Sequence, residues 1–177
     1  STAIHQSQTT LKALGLLVSQ PESIGITPLG LQMVELPISL RLGIAMYWGV
    51  QLGVAKEVGS ICLQIENGGS LERLLKLGTQ FSKQDKKVNL NAVEDKIAFA
   101  FLGGFADLVA RVEEKSGDYF VKMASGEKHK LTKESAEKVR NKNGGYFVIV
   151  QSRVVRRATH QQFELERVFE ISEEWLL

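Results

Sequence analysis

Residues 146–155, YFVIVQSRVV, form the longest run of β-branched residues in the chain and decide the fold of its C-terminal part. Runs of this composition are typical of strands. Outward from this run, apolar and polar residues alternate with a period of two at 119–123 and again at 163–171, which predicts two further strands. Another strand begins at 108–112. The C-terminal part is therefore predicted to be a β-structure.

Turn and capping signals separate these strands. Ser125-Gly126 predicts a turn, and Asn143-Gly144-Gly145 predicts a break before the long run. Thr132 is suited to cap a short helix at residues 133–140. The layout is then roughly five short strands with one helix between the third and the fourth, which is the order of an OB-fold barrel.

The residues before this part follow a helical period instead. Leu11, Leu14, Leu17 and Val18 form one apolar stripe, and Thr27-Pro28 is typical of a helix start. Further helices are predicted at 39–53, at 54–66, after Ser70 and at 91–103, with a polar linker at 82–91. Glycines within these helices predict close helix contacts in a compact bundle; they are Gly43, Gly49 and Gly59. The predicted class is mixed α+β.

The composition narrows the function classes. The chain has 177 residues, 44% of them hydrophobic and 24% charged, which is typical of a folded chain rather than a disordered one. Its single cysteine, Cys62, excludes an internal disulfide framework and a multi-cysteine zinc site. Residues 1–10 lack the features of a signal peptide, and no apolar run reaches the length of a membrane span. We therefore expect a cytoplasmic protein with no membrane partner.

Motifs for reaction chemistry are missing from the sequence. It contains no P-loop pattern, no GxSxG elbow and no HExxH pair, so we expect no catalytic residues and no resident metal. Ser125 and Lys128 match an SxxK spacing, but they lie in a predicted turn without the accompanying motifs. The histidines are scattered; they are His5, His129 and His160. Cys62 is expected to be a small buried apolar residue.

The charge distribution is the feature of the sequence that indicates a function. Residues 115–157 contain eleven Lys or Arg against four acids, whereas residues 158–177 contain five Glu and one Arg. Cations that follow a phosphate backbone, interleaved with aromatic side chains, are what single-stranded nucleic acid requires. The loops of the expected barrel would lie at 113–118 and 156–162. The predicted phosphate contacts are Lys122, Lys128, Lys130, Arg153, Arg156 and Arg157. Phe120, Tyr146 and Phe147 are stacking candidates, although aromatic residues in alternating strands more often belong to a core.

An ordered set of short motifs resembles the accessory region of DEAH/DExH-box helicases, in particular the bacterial HrpB/HrpA type. The set is LKALG at 11–15, ITPLG at 26–30, ELP at 35–37, Arg41-Leu42, GFAD at 104–107, VAR at 109–111, Tyr119, Ser125-Gly126, Leu131, and the closing Ile171 with Trp175-Leu176. The resemblance implies three parts: a winged-helix part at 1–38, a helical ratchet-like bundle at 39–104 and an OB-fold at 105–177. Relatives often carry arginine at the positions of Leu108 and Val112, so the resemblance is incomplete around Arg111.

The resemblance implies a role beside a motor. ATP and Mg²⁺ would bind RecA-like domains, whose motifs this chain lacks, so the chain alone should neither hydrolyse ATP nor unwind RNA. The implied partners are single-stranded RNA, with single-stranded DNA as the alternative, and the RecA-like core of the helicase. An alternative function is a protein-interaction module that docks a partner through the helical half or the acidic residues 164–174, without contacting RNA.

Overall fold

The protein was analysed as a computed structural model, which describes residues 17–20, 23–26, 38–66, 69–81, 88–142 and 144–176, the first two segments as backbone only. The chain divides into two units, Ser1–Asp107 and Leu108–Leu177. The first unit contains β1 (Leu17–Gln20), β2 (Ser23–Ile26), α1 (Leu40–Leu52), α2 (Ala55–Ile65), α3 (Leu71–Gly78) and α4 (Val93–Gly104). The second contains β3 (Val109–Lys115), β4 (Asp118–Met123), β5 (Lys128–Lys130), α5 (Lys133–Val139), β6 (Tyr146–Arg156) and β7 (Gln161–Ile171).

Most of the predicted winged-helix part at 1–38 lies outside the described residues. Within it, β1 and β2 form an antiparallel hairpin in which Leu17 is opposite Ile26. The helical stripe predicted to include Leu17 and Val18 is therefore wrong at these two positions. A three-and-four spacing over so few residues does not distinguish a helix from a strand, and pairing with β2 decides for the strand. The proposed linker at 82–91 also lies largely outside the described residues.

The helices of the first unit begin and end close to their predicted positions because local signals specify their termini. Gly53 ends α1 in the left-handed region with φ of 76°, a conformation that glycine adopts without strain. Ser70 caps α3, its hydroxyl accepting from the Arg73 N–H. Ser39 precedes α1, but its side chain makes no capping hydrogen bond. Instead, its backbone N–H donates to the carboxylate of Glu66 at 2.9 Å, so the residue directly after α2 satisfies the backbone N–H directly before α1.

Glycines allow these helices to approach closely, as predicted for Gly49 and Gly59. A Cβ on Gly49 would lie 3.0 Å from the Val58 Cβ, and one on Gly59 would lie 3.0 Å from a Leu71 methyl carbon. Gly104 makes a closer approach, because a Cβ there would collide with the backbone carbonyl oxygen of Arg41. The sequence predicted that Gly103-Gly104 would break the helix. The helix α4 does end at Gly104, with Phe105 as its C-cap residue, and Gly104 also makes the close contact with α1.

A bidentate ion pair fixes the end of this unit. Arg41 at the start of α1 donates to both carboxylate oxygens of Asp107, at 2.5 and 2.8 Å. The same guanidinium donates to the Gly104 carbonyl at 3.3 Å and lies over the ring of Phe105 at 5.5 Å. Arg41 therefore joins two of the sequence motifs that lie more than sixty residues apart. Its hydrogen bonds lower the pKa of Asp107.

The second unit is a five-stranded antiparallel sheet with the strand order β5-β4-β3-β6-β7. Ser116 and Gly117 make the turn between β3 and β4, with Gly117 at φ of 84°. One face of the sheet carries an apolar core that α5 also contributes to. This core consists of Ala110, Val112, Val121, Leu131, Val139, Phe147, Ile149 and Leu165. Five strands with one helix between the third and the fourth agree with the prediction.

The predicted closed barrel is not formed. Among the described residues, β5 and β7 are joined by one isolated parallel bridge, between Leu131 and Phe163, rather than by a ladder. The helix α5 explains why. The Thr132 N–H donates to the Phe163 carbonyl as part of this bridge. Beyond it, the Leu165 N–H donates to the buried Ser135 hydroxyl, and Lys138 donates to the Leu165 carbonyl. Ser135 and Lys138 of α5 thus hydrogen bond to the N–H and the carbonyl of Leu165, with which a closing strand would otherwise pair.

The loops predicted at 113–118 and 156–162 are shorter than expected. β3 continues to Lys115 and β4 starts at Asp118, while β6 continues to Arg156 and β7 starts at Gln161. Polar residues in these stretches were interpreted as loops. They pair as exposed hairpin ends instead, because backbone hydrogen bonds between antiparallel strands extend past the core. The loop between β6 and β7 is therefore limited to residues 157–160.

The close approach at Gly104 predicts a large effect of a small substitution. Gly104→Ala should lower the free energy of unfolding by about 2 kcal/mol, because the added methyl group meets a backbone atom that cannot rotate away. Urea denaturation followed by circular dichroism measures the change. Gly78→Ala is the matched control, since its methyl group would meet the flexible end of Met46 at 3.2 Å. Equal effects of the two substitutions would contradict this account.

The Arg41–Asp107 pair predicts a pH-dependent stability. Because the folded pKa of Asp107 is lowered, its stabilisation is present above the unfolded pKa of about 3.9 and is lost as pH falls through the folded pKa. Asp107→Asn should cost about 1 kcal/mol at neutral pH, for a pair that is partly exposed. Urea denaturation of both proteins across pH gives the difference. A difference that persists undiminished into strong acid would argue against the ion pair as its cause.

Candidate nucleic-acid interface

Alternation along the strands separates a core face from an outer face of the second unit. Val112 and Val121 are opposite each other in β3 and β4 and are both 1% exposed. Their neighbours Arg111, Lys122 and Phe120 therefore point to the outer face, since successive side chains alternate across a sheet. The candidate interface is built on this outer face.

Strand register aligns one residue from each of four strands on the outer face. Tyr146 of β6 is opposite Arg111 of β3, Arg111 is opposite Lys122 of β4, and Lys122 is opposite Lys128 of β5. We call Tyr146, Arg111, Lys122 and Lys128 the basic row. The Arg111 guanidinium lies 5.2 Å from the centre of the Tyr146 ring, which is a cation–π contact. Three cations and one aromatic ring thus run straight across the sheet.

A groove of about 510 Å³ lies beside the basic row. This outer groove is lined by Arg111, Val112, Glu113, Glu114, Lys115, Phe120, Lys128 and Gly144. Phe120 is partly exposed and forms the aromatic part of the lining. An aromatic surface between cations can stack a base while the cations contact phosphates. The groove therefore has the chemistry that single-stranded nucleic acid requires.

Carboxylates lie among these cations. Lys128 donates to Glu113 at 2.9 Å, and Lys130 contacts Asp118 at 3.5 Å. The Lys128 hydrogen bond, together with the positive charges of Lys128, Lys122 and Arg111, lowers the pKa of Glu113. Both ion pairs are largely exposed to solvent, and exposed pairs of this kind contribute little free energy. An anionic ligand can therefore compete for these lysines.

The three arginines predicted from the β6–β7 segment do not act as one group. Arg153 is held between Glu164, at 2.5 Å, and Glu166, at 3.4 Å. Arg156 lies three positions further along β6, so alternation places it on the opposite face of the strand from Arg153. Arg157 begins the connecting loop, and its backbone N–H donates to the His160 carbonyl. Within the described ranges, neither Arg156 nor Arg157 forms an ion pair.

The structure thus divides the six predicted contacts. Lys122, Lys128 and Lys130 share the outer face of β4 and β5, as the period of two in these strands requires. Arg153 is paired elsewhere on the same sheet. Arg111 was not predicted as a contact, although it is the centre of the basic row. Its alternation with buried Ala110 and Val112 was the available signal, but the pairing with β4 and β6 is long-range and is not visible in local sequence.

The three aromatic candidates lie on two different faces of the sheet. Tyr146 belongs to the basic row and Phe120 lines the outer groove. Phe147 is a correction: it is 6% exposed and part of the apolar core, because it follows Tyr146 directly and points to the other face. Because adjacent residues of a strand point to opposite faces, a difference of one position decides whether an aromatic ring lies on the outer face or in the core.

Ser125 and His129 lie outside the basic row. Ser125 lies in the turn between β4 and β5, as predicted. His129 stacks on Phe163 with ring centres 3.9 Å apart, in a second cleft of about 500 Å³. No group of three or more potential metal-ligating side chains occurs in the described part of the chain. None of the helices described there is long and apolar enough to cross a bilayer.

Comparisons with known proteins bear on the fold. No family model matches the chain, and no curated protein matches its sequence. A solved structure does match, and it belongs to the class of DExH-box NTPases. The matched protein is Escherichia coli HrpB, with a TM-score of 0.65 and 16% sequence identity. The match covers 98% of this chain and 22% of the HrpB chain, so the chain resembles an accessory region of that protein in fold.

Phe147 and Phe120 lie on opposite faces of the sheet, so we predict opposite effects of their truncation on stability. Phe147→Ala should lower the free energy of unfolding by about 3–5 kcal/mol, because it leaves a cavity in the core. Phe120→Ala should change it by less than about 1 kcal/mol, because Phe120 is partly exposed on the outer face. Chemical denaturation of the two variants measures both changes. A large loss from Phe120→Ala would mean that this ring is structural and not free to stack.

Proposed function

We propose that this chain is an accessory region of a DExH-box RNA helicase of the HrpB type, and that it binds single-stranded RNA without strong sequence preference. The observation that carries the binding proposal is the basic row beside the outer groove, where three cations lie near the partly exposed ring of Phe120. The similarity in fold to HrpB supports the helicase context. Because the chain spans 22% of the matched protein, the helicase activity itself is part of this proposal.

The arrangement of the second unit supports an OB-type fold as part of the proposal. Its strand order, the helix between β5 and β6, and the parallel bridge between Leu131 and Phe163 are typical of such a fold, although the ladder is incomplete. The β1–β2 hairpin would then belong to a winged-helix part. ATP and Mg²⁺ would bind RecA-like domains, which this chain does not contain, and those domains would be its protein partner.

Binding would be electrostatic with stacking. Lys122, Lys128 and Arg111 would neutralise successive phosphates, and Phe120 would stack a base. Lys130 would add a cation once its contact with Asp118 is released. Arg156 and Arg157 would contact the strand from the β6–β7 hairpin end, whereas Arg153 would contribute less because two glutamates hold it. The interaction would be tolerant of sequence, since none of these groups reads a base edge.

Protein docking through acidic residues 164–174 is the alternative function, and the structure gives it less support. Glu164 and Glu166 pair with Arg153, and Glu170 pairs with Lys142 at 3.0 Å. Three of the five glutamates in this segment are therefore engaged within the unit. A partner protein would have to replace these contacts, whereas the basic row includes Lys122, which forms no ion pair within the described residues.

Charge reversal tests the proposed binding. Lys122→Glu should weaken binding of a short fluorescent oligouridylate about tenfold at low salt, because the row loses one cation and gains an anion. The dependence of log affinity on log salt should become shallower by about 0.7, the contribution of one phosphate on a single strand. The double variant Arg156→Glu, Arg157→Glu should also weaken binding. Fluorescence anisotropy measures both quantities.

Lys133→Glu is the matched control. Lys133 is exposed at the start of α5, outside the basic row, so the same change in net charge should leave the affinity within about twofold. If Lys122→Glu and Lys133→Glu weaken binding equally, the basic row is not the binding surface. If the oligonucleotide fails to bind the unaltered chain at low salt, the RNA-binding proposal is wrong. Unchanged affinity in the double arginine variant would remove the hairpin end from the interface.

A further inference from the structure

The cations of the basic row converge on a carboxylate of the same sheet. Glu113 follows Arg111 by two residues in β3, so both side chains lie on the outer face. Lys128 reaches across from β5, past β4, and donates to a carboxylate oxygen of Glu113 at 2.9 Å. Lys122 lies between Arg111 and Lys128 in the register. A negative group is therefore already in place where a phosphate would have to bind.

We propose that Arg111, Lys122 and Lys128 form a phosphate-binding site, that the Glu113 carboxylate occupies this site in the free protein, and that a nucleic-acid phosphate binds by replacing this carboxylate. The inference rests on the proposed function for the identity of the ligand, since it takes the phosphate from single-stranded RNA. The site itself is defined by the three cations and the carboxylate alone.

The geometry of the outer groove supports replacement of the Glu113 carboxylate by a phosphate rather than binding of the two anions side by side. The outer groove of about 510 Å³ is lined by Glu113 together with Arg111, Lys128 and Phe120, so a nucleotide in the groove meets the carboxylate directly. Sites of roughly 300–1,000 Å³ are typical for ligands of nucleotide size. Two anions sharing three cations repel each other, and the carboxylate side chain can rotate away because it is 36% exposed. Replacement exchanges one charge-assisted hydrogen bond for another.

The positive charges near Glu113 are those of the basic row. The pKa of Glu113 is lowered first by its hydrogen bond with Lys128 and then by the charges of Lys128, Lys122 and Arg111. These are the same three residues that the register aligns. The carboxylate therefore reduces the affinity of the site for any external anion and limits binding to ligands with several phosphates or an added stacking contact.

Removal of this carboxylate charge is the direct test. Glu113→Gln keeps the shape of the side chain and should strengthen binding of a short oligouridylate about tenfold at low salt, measured by fluorescence anisotropy. Glu134→Gln is the matched control: it makes the same charge change at an exposed residue of α5 that does not line the outer groove. Adding Lys122→Ala to Glu113→Gln should remove the gain.

The outcomes separate this inference from the proposed function. Equal gains from Glu113→Gln and Glu134→Gln would show a net-charge effect only and would overturn the inference, while RNA binding by the unaltered chain would still stand. The second probe is inorganic pyrophosphate, titrated against the backbone amide signals of β3 to β5 in NMR spectra. Stronger pyrophosphate binding by Glu113→Gln, in a chain that binds no oligouridylate, would support the site and overturn the RNA proposal. No gain for either probe would overturn the site.

Discussion

The pairing of Val112 with Val121 is the constraint on which the candidate interface depends. Both valines are buried in the core, so the face that β3 and β4 each turn to the core is fixed. A shift by one residue would turn Arg111 and Lys122 into the core and expose the valines, since side chains alternate with a period of two. The core thus specifies the outer face: the buried apolar residues determine which cations lie side by side on it.

The outer face is mixed in charge rather than uniformly basic. Counting residues along 115–157 indicates a strongly positive segment, but Glu113 and Asp118 take up two of its lysines, and Glu164 and Glu166 take up one of its arginines. Exposed pairs of this kind add little stability. Their main effect is on the electrostatic potential, which is concentrated where cations outnumber carboxylates, along the basic row. Linear charge density is therefore a poor measure of where a polyanion binds.

Local signals account for what was predicted correctly. Gly53, Ser70 and Thr132 mark helix ends by chemistry that acts within four residues, and the period of two in 119–123 and 163–171 identifies strands. The errors concern contacts between distant residues. Nothing near Arg111 in sequence shows that Lys122 and Tyr146 flank it, and nothing near Ser135 shows that its hydroxyl accepts the Leu165 N–H. Barrel closure and the membership of the interface both depend on such contacts, so they were predicted only in outline.

The short helix α5 has a consequence beyond the shape of the sheet. β7 is eleven residues long and stands at the end of the strand order, which makes it the natural template for pairing with a strand of another molecule. By hydrogen bonding to Phe163 and Leu165, residues 132–138 deny an incoming strand the groups it would need at the start of β7. If α5 unfolds locally, the edge of β7 becomes accessible to other copies of the chain. Self-association by strand pairing through β7 is then expected.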